Sequence, residues 1–289
     1  MSLSKARRSL LERLRRRHQR DREGCFVVEG VRGAATALHA RAPVRFAVVS
    51  PRLEELDPGG EIPLLLAAAG VDVTEIDDTE LAGLADTVNP QGVLLVCEEP
   101  VATLQTLTTL LGSRPGRQAP TRGDEAPAAK PSPATPKTPG FLIADAIQDP
   151  ANLGTMIRTS AALGLAGVIT LDGTVDAWNA KVVRGTAGAC FYIPIVRARC
   201  EEVLPWVREN GIRLFGATAE GVDIREIEPS AGAAGSRAPW ALAVGNEGAG
   251  LRDEVRVAAD QLVAVPIDGD IDSLNAAVAA AILMWELLR

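Results

Sequence analysis

Histidine is nearly missing from this chain. His18 and His39 are the only two in 289 residues. That is too few for the histidine-rich ligand sets of zinc hydrolases, and it argues against histidine-based acid–base chemistry. Cysteine is also scarce: Cys25, Cys97, Cys190 and Cys200 form no CxxC pair, so reduced thiols are expected. No apolar run is long enough to cross a bilayer, and the N-terminus lacks the apolar core of a signal peptide, so no membrane partner and a cytoplasmic location are expected. Neither a phosphate-loop GKS/GKT nor a G-x-G-x-x-G sequence occurs, which argues against a Rossmann-type nucleotide enzyme. Asp268, Asp270 and Asp272 alternate without the glycine and distant glutamate of a calcium loop, so no metal is expected.

What is present is an ordinary globular composition, 47% apolar and 23% charged, at a length that suggests two domains. The net charge of −7 conceals an asymmetry. Residues 1–24 carry nine Lys/Arg against three Asp/Glu, and residues 25–100 carry four against thirteen. With leucines at 3, 10, 11 and 14, the first stretch predicts a basic amphipathic helical arm. The arm is either an RNA phosphate contact, through Arg15, Arg16 and Arg17, or a solubilising tail.

From Cys25 short β-rich runs (CFVVE, VRFAVVS, VDVTEI, GVLLVC) alternate with helical stretches, predicting a small α/β domain, with a further helix at 103–112, over 25–111. Seven prolines in 112–140 mark a flexible linker. A second α/β domain spans 141–289. Its expected strands are 141–145, 167–171, 191–196, 213–218, 241–245 and 262–266, forming a mainly parallel sheet covered on both faces. Residues 230–239 read as a surface insertion. The run from Ala276 to Trp285 holds no charge, which predicts a closing helix buried on most sides.

Three polar turns stand at expected strand ends, where open α/β sheets bind ligands. In DAIQDPANLGTMIRTSAALG (145–164), Asn152 is a helix cap or a site residue, Gly154 permits close approach, and Arg158 is a solvated or a functional cation. In LAVGNEGAGL (242–251), three glycines make either a tight turn or a bare backbone that admits a flat base. In VPIDGDIDSLNAAVA (265–279), Ser273 or Asn275 caps the last helix or faces a site.

Taken together, DPANLGTMIR, LAVGNEGAGL and VPIDGDIDSLNAAVA resemble the three motifs of the SpoU/TrmH family of RNA ribose 2′-O-methyltransferases in the SPOUT superfamily. KVVRGTAGACFYIPIV (181–196) resembles the segment between the first two motifs. EGCFVVEGVR (23–32) and NPQGVLLV (89–96) are similar to the small substrate-binding domain of the ribosomal protein L30e type. The resemblance implies a deep C-terminal trefoil knot, S-adenosylmethionine as cofactor, a homodimer and an RNA substrate. By motif position it implies cofactor contacts from Gly245, Val265 and Leu274, with Glu247, Gly248 and Ile267 close by. It places Arg158 near the target ribose, Asn152, Ser273 and Asn275 around the hydroxyl, and Arg184 on RNA phosphate. An arginine stays protonated, so phosphate binding and alkoxide stabilisation suit Arg158 better than a role as base. Thr186 and Ala180 depart from the family's frequent serine and proline. Large-subunit (23S) rRNA is the expected substrate. The alternatives are tRNA, a resistance-conferring rRNA modification, and a non-catalytic RNA-binding or ribosome-assembly protein.

Overall fold

The computed structural model describes residues 3–112, 139–227, 238–268 and 273–289. The expected linker (but for its ends), residues 230–237 of the expected insertion, and Asp270 and Asp272 lie outside them. The chain forms two compact units. The first comprises Met1–Val101, Gln148–Arg158 and Val175–Ile193; the second comprises Ala102–Ile147, Thr159–Thr174 and Pro194–Arg289.

The first unit is built on a four-stranded sheet: β1 (Cys25–Glu29), β2 (Val44–Val49), β3 (Val73–Glu75) and β4 (Val93–Glu98), in the order β1-β4-β2-β3. β4 is antiparallel to β1 and β2, and β3 is parallel to β2. The expected basic helix is two helices, α1 (Lys5–Leu14) and α2 (Arg17–Glu23), broken at Arg15–Arg16. Ser4 caps α1 through its hydroxyl, 3.3 Å from the Arg7 amide. Leu3, Leu11 and Leu14 bury into one apolar cluster with Phe46, Val48, Ile76, Leu81 and Leu84. The second helix has no apolar face to bury. It is anchored by Arg20, whose guanidinium donates to the last α1 carbonyl, at Leu14, at 2.7 Å, satisfying one of the orphan acceptors of a helix end.

Residues 3–24 are therefore an integral layer of the first unit rather than a free arm. Their charges are also largely spent inside it: Arg7 pairs with Asp72, Arg8 with Glu80, and Arg15 donates to the Gly83 and Ala85 carbonyls at 2.8 and 3.2 Å. Part of the charge asymmetry is thus met within the unit, by Asp72 ahead of β3 and by Glu80 and the last carbonyls of the helix over Asp78–Leu84. Helices α3 (Val31–His39), α4 (Arg52–Leu56), α5 (Glu61–Ala68) and α6 (Asp78–Leu84) complete the α/β alternation, α4 being the one the pattern did not show.

The second unit carries β5 (Gly140–Ala144), β6 (Gly167–Leu171), β7 (Ile195–Ala198), β8 (Arg213–Asp223), β9 (Trp240–Val244) and β10 (Gln261–Ala264). The order is β10-β8-β9-β5-β6-β7, and every pair is parallel. All residues of β5, β6 and β9 are buried, as unbroken apolar runs require in a sheet covered on both faces. The helix α7 (Leu104–Gly112), expected with the first domain, belongs here: Leu107 is fully buried in this core, and the Thr108 hydroxyl accepts from the Trp206 indole at 2.8 Å. The strand expected from residue 191 starts only at Ile195, because Ala189–Phe191 is a 3₁₀ turn whose Phe191 stacks on Phe26 in the first unit. Of the remaining helices, α9 (Ala180–Thr186) and the Pro150–Arg158 part of α8 (Pro150–Leu163) belong to the first unit, and α10 (Cys200–Glu209), α11 (Asp253–Ala258) and α12 (Ala276–Leu288) to the second.

α12 is not buried on most sides. Ala277, Ala280, Leu283 and Met284 face the core, while Val278, Ile282 and Trp285 form an exposed stripe, Trp285 at 59%. Charge-free sequence identified an apolar helix, but one chain covers only one of its faces.

Candidate active site

In the parallel sheet all strands point their carboxyl ends to one edge. β6 and β7 extend from one side of β5, and β9, β8 and β10 lie on the other, so the chain order reverses between β5 and β9. Ligands bind at such a reversal. The turns that leave these two strands begin at Asp145 and Gly245.

The second of these turns is held by one side chain. The Asn246 amide oxygen accepts from the Gly248 and Ala249 amides at 3.0 and 2.9 Å, and its nitrogen donates to the Ala146 carbonyl at 3.0 Å. Asn246 and Gly250 exchange two backbone hydrogen bonds of 2.9 Å. The loop thus folds back so tightly that a Cβ at Gly245 would stand 2.2 Å from the Gly250 carbonyl carbon. Its outer face is different: a Cβ at Gly250 would meet nothing within 4 Å, and Glu247 to Gly250 are exposed. A closed inner turn with a bare outer backbone fits a flat nucleoside held by main-chain groups.

The loop's far end is clamped as well. Arg252 donates its backbone amide and Nε to the two oxygens of fully buried Asp145, at 2.8 and 2.5 Å, and its Nη1 to Asp172 at 3.2 Å. Burial alone would lower the Arg252 pKa, but hydrogen bonding to Asp145 and the two carboxylate charges raise it above its ordinary value. For Asp172 burial works upward, and the Arg252 hydrogen bond outweighs it and holds the carboxyl below the usual range. The turns after β5, β6 and β9 are therefore tied by one guanidinium. Asp145, Asn246 and Arg252 were not singled out from sequence. The only available signal was that each lies inside or beside a motif already chosen.

After β10, Val265 is half-buried and Ile267 is exposed, and Leu274 is half-buried ahead of α12. Of the two capping candidates, Asn275 caps α12, its oxygen accepting from the Ala277 and Val278 amides at 2.9 and 3.2 Å. Ser273 is exposed. These residues, with Gly245, Glu247 and Gly248, belong to the second unit.

Asn152 and Arg158 fall in the first unit. Asn152 is not the cap of α8. The helix begins at Pro150, whose missing N–H costs nothing at a first helical position, and the Asp149 carboxylate caps it, accepting from the Ala151 amide at 2.8 Å. Asn152, two residues further in, is 6% exposed. Gly154 does admit a close approach, and the occupant is backbone: a Cβ there would meet the Val182 carbonyl oxygen at 2.8 Å and Gly185 Cα at 2.9 Å. Thr186, the departure from serine, is fully buried, its hydroxyl donating to the Val183 carbonyl at 2.7 Å and accepting from the Gly188 amide at 3.2 Å. A threonine performs this turn-closing role as well as a serine.

Arg158 lies one helical turn beyond Gly154, is exposed, and has no ion-pair partner among the described residues. Arg184 is the opposite case, paired with Glu29 at 3.3 Å and Asp86 at 3.1 Å. Arg158 and Arg184 line one cavity of about 380 Å³ with residues of α3 and of the loop before β4. Of the basic N-terminal trio, Arg16 and Arg17 are exposed, Arg17 in a loose 3.8 Å pair with Asp21.

Comparison with known proteins decides the family. Residues 139–285 match the SpoU rRNA Methylase family, just over half of the chain. The chain belongs to this family. Residues 9–95 match the MRM3-like substrate binding domain, so the domain similar to ribosomal protein L30e corresponds to a recognised substrate-binding module, and that match begins inside α1. Among curated SpoU relatives, the chain is 30% identical to the 23S rRNA (guanosine(2553)-2′-O)-methyltransferase RlmP of Bacillus subtilis, over 96% of this chain and 93% of that one. Among solved structures, the AdoMet-bound rRNA methyltransferase of Sinorhizobium meliloti superposes with a TM-score of 0.76 at 28% identity, covering 99% of this chain and 95% of that one. The SpoU methyltransferase AviRb of Streptomyces viridochromogenes, in complex with AdoMet, gives 0.74 at 27%, covering 98% and 97%. These likenesses span both units, so the chain has the α/β architecture of a SpoU methyltransferase carrying an N-terminal substrate-binding domain.

Proposed function

We propose that this SpoU-family chain transfers a methyl group from S-adenosylmethionine to a ribose 2′-hydroxyl of 23S rRNA. The near-full-length match to the Bacillus subtilis 23S rRNA enzyme, through both the catalytic and the substrate-binding domain, carries this reading. When bound, S-adenosylmethionine supplies an electrophilic methyl carbon on its sulfonium. The loop from Gly245 to Gly250 holds the cofactor, with Glu247 and Gly248 presenting main chain and Val265, Ile267 and Leu274 presenting apolar surface. Support comes from the bare outer backbone and from Ile267 being exposed at a strand end.

The 2′-hydroxyl is a poor nucleophile until its proton leaves. Arg158 binds an adjacent phosphate and stabilises the alkoxide as it forms. Its exposure, with no ion-pair partner among the described residues, supports that role. Asn152, in the first turn of the same helix as Arg158, orients the hydroxyl. Ser273 and Asn275 contribute hydroxyl and amide groups at the start of α12, Asn275 doing so while it orders the helix. The family's knot in the second unit belongs to the same proposal, as does RNA contact by Arg16 and Arg17.

The chain acts as a homodimer through α12. Val278, Ile282 and Trp285 recur at i, i+4 and i+7, an apolar stripe of the kind another subunit covers. Trp285→Glu is expected to convert the dimer to monomer in sedimentation velocity; a wild-type monomer would sink this assignment. Among the described residues no helix is long and apolar enough to cross a membrane, and no cluster of three or more metal-ligating side chains occurs. The cytoplasm, where rRNA is modified, is the proposed location.

The deciding experiment incubates the protein with methyl-labelled S-adenosylmethionine and unmodified 23S rRNA transcript. The expected product carries label at a single 2′-O-methyl nucleotide. Label absent from 23S rRNA but present in tRNA would replace the substrate; label in neither would overturn the activity.

A further inference from the structure

The cavity of about 380 Å³ in the first unit is large enough for a small-molecule-sized group. Its wall includes the start of α3, where Gly30 has φ +87° and leads into Arg32 and Gly33. The opposite wall is the loop before β4, with Asn89 and Gln91. The Gln91 side-chain oxygen accepts from the Val31 amide at 2.9 Å and so fixes the mouth. The φ of Gly30 is one that L side chains rarely adopt, and a Cβ there would also stand 2.6 Å from that same oxygen, so a substitution at Gly30 is strained and would push Gln91 aside. At the loop's tip Val88 is 95% exposed.

Three arginines face this cavity, and they are not equivalent. Arg184 is neutralised by two carboxylates, Glu29 and Asp86. Glu29 also accepts from the Asp86 backbone amide at 2.5 Å. Arg184, Glu29 and Asp86 thus form a latch that joins α9, β1 and the loop carrying Asn89. Arg32 and Arg158 have no ion-pair partner among the described residues, and both are exposed. The cavity therefore presents two unspent positive charges beside polar amides, with a small-residue floor.

We propose that this cavity is a subsite for an RNA phosphodiester, that Arg32 is its phosphate-binding residue on the substrate-domain side, and that Arg184 is a positioning residue which shapes the subsite without touching RNA. The inference rests on the methyltransferase reading for its ligand, and on the observed pairing for its division of roles. It reverses the expectation that Arg184 contacts phosphate: a guanidinium held by two carboxylates would have to surrender both to bind a third anion. It adds Arg32, the last residue of the EGCFVVEGVR segment, to which the sequence alone assigned no role.

The test measures binding of unmodified 23S rRNA transcript across a salt series for wild type, Arg32→Ala and Arg184→Met, together with thermal unfolding. Arg32→Ala is expected to weaken binding about tenfold, the equivalent of one charge-assisted hydrogen bond. It should also lower the slope of log K against log salt by about 0.7–0.9, one phosphate contact, with an unchanged Tm. Arg184→Met is expected to lower Tm and keep the wild-type salt slope. Wild-type affinity and slope in Arg32→Ala would overturn the subsite, as would a slope lost only in Arg184→Met. Should wild type itself bind no RNA, the methyltransferase reading beneath the proposal falls first, and the labelled-cofactor assay separates that case.

Discussion

Arg158→Ala is expected to lower kcat for methyl transfer by about a hundredfold to a thousandfold, the usual effect of removing one donor that stabilises developing negative charge. Cofactor affinity measured by calorimetry should stay at the wild-type value. The side chain is exposed and has no ion-pair partner among the described residues, so truncating it orphans none of them and the fold should not suffer. That separates this arginine from Arg252, which ties Asp145 and Asp172 and whose loss would disturb the loop after β9 that is proposed to hold the cofactor. Arg158→Lys should recover only part of the rate, because an ammonium is a point charge without the planar fork that binds phosphate in two places. Histidine is not among the site residues, so the pH–rate profile should show no inflection where free imidazole titrates, near about 6.5. Loss of both transfer and cofactor binding in Arg158→Ala would mark the arginine as structural and remove it from the chemistry.

The strands and the motif loops were legible in the sequence for a simple reason. Parallel strands buried on both faces read as short unbroken apolar runs, and FLIAD, GVITL and ALAVG differ from β5, β6 and β9 by at most one residue at an end. Contacts made across sequence distance were not legible. Asn152 reads as a cap because capping residues precede helices, but Asp149 was equally placed and Pro150 tilted the choice. The nine basic residues ahead of Cys25 read as an RNA contact or a solubilising tail because composition carries no partners; only the fold shows Arg7 and Arg8 paired with Asp72 and Glu80, and Arg15 on the Gly83 and Ala85 carbonyls. α12 reads as buried on most sides because its sequence lacks charge, but charge-free sequence does not say what covers each face, and Val278, Ile282 and Trp285 are left exposed. Arg184 and Arg158 look alike in a motif and differ only in whether carboxylates stand beside them.

Asp176→Ala is expected to destabilise the first unit by about 3–5 kcal/mol, the cost of stranding a buried charge. Arg20 and Asp176 are 4% and 5% exposed. Arg20 Nε and Nη2 donate to one Asp176 oxygen at 2.8 and 2.5 Å, and Nη1 donates to the Leu14 carbonyl. The other Asp176 oxygen accepts from the Trp178 amide at 3.3 Å, and Trp178 packs on Phe26 with ring centroids 4.6 Å apart. One ion pair therefore joins the two N-terminal helices to the segment that leads into α9. Removing residues 1–24 would delete Arg20, uncover the apolar surface that Leu3, Leu11 and Leu14 occupy, and strand Asp176. Such a truncation should lose RNA binding through unfolding of the substrate-binding unit, seen as a lost or lowered Tm and exposed apolar surface, rather than as a clean drop in salt slope. Arg20→Met combined with Asp176→Leu should recover much of the loss seen in Asp176→Ala, because an apolar pair removes both desolvated charges together. A truncated chain that kept the wild-type Tm would show that the two helices are an appendage after all, and would return the basic arm to the role its composition first suggested.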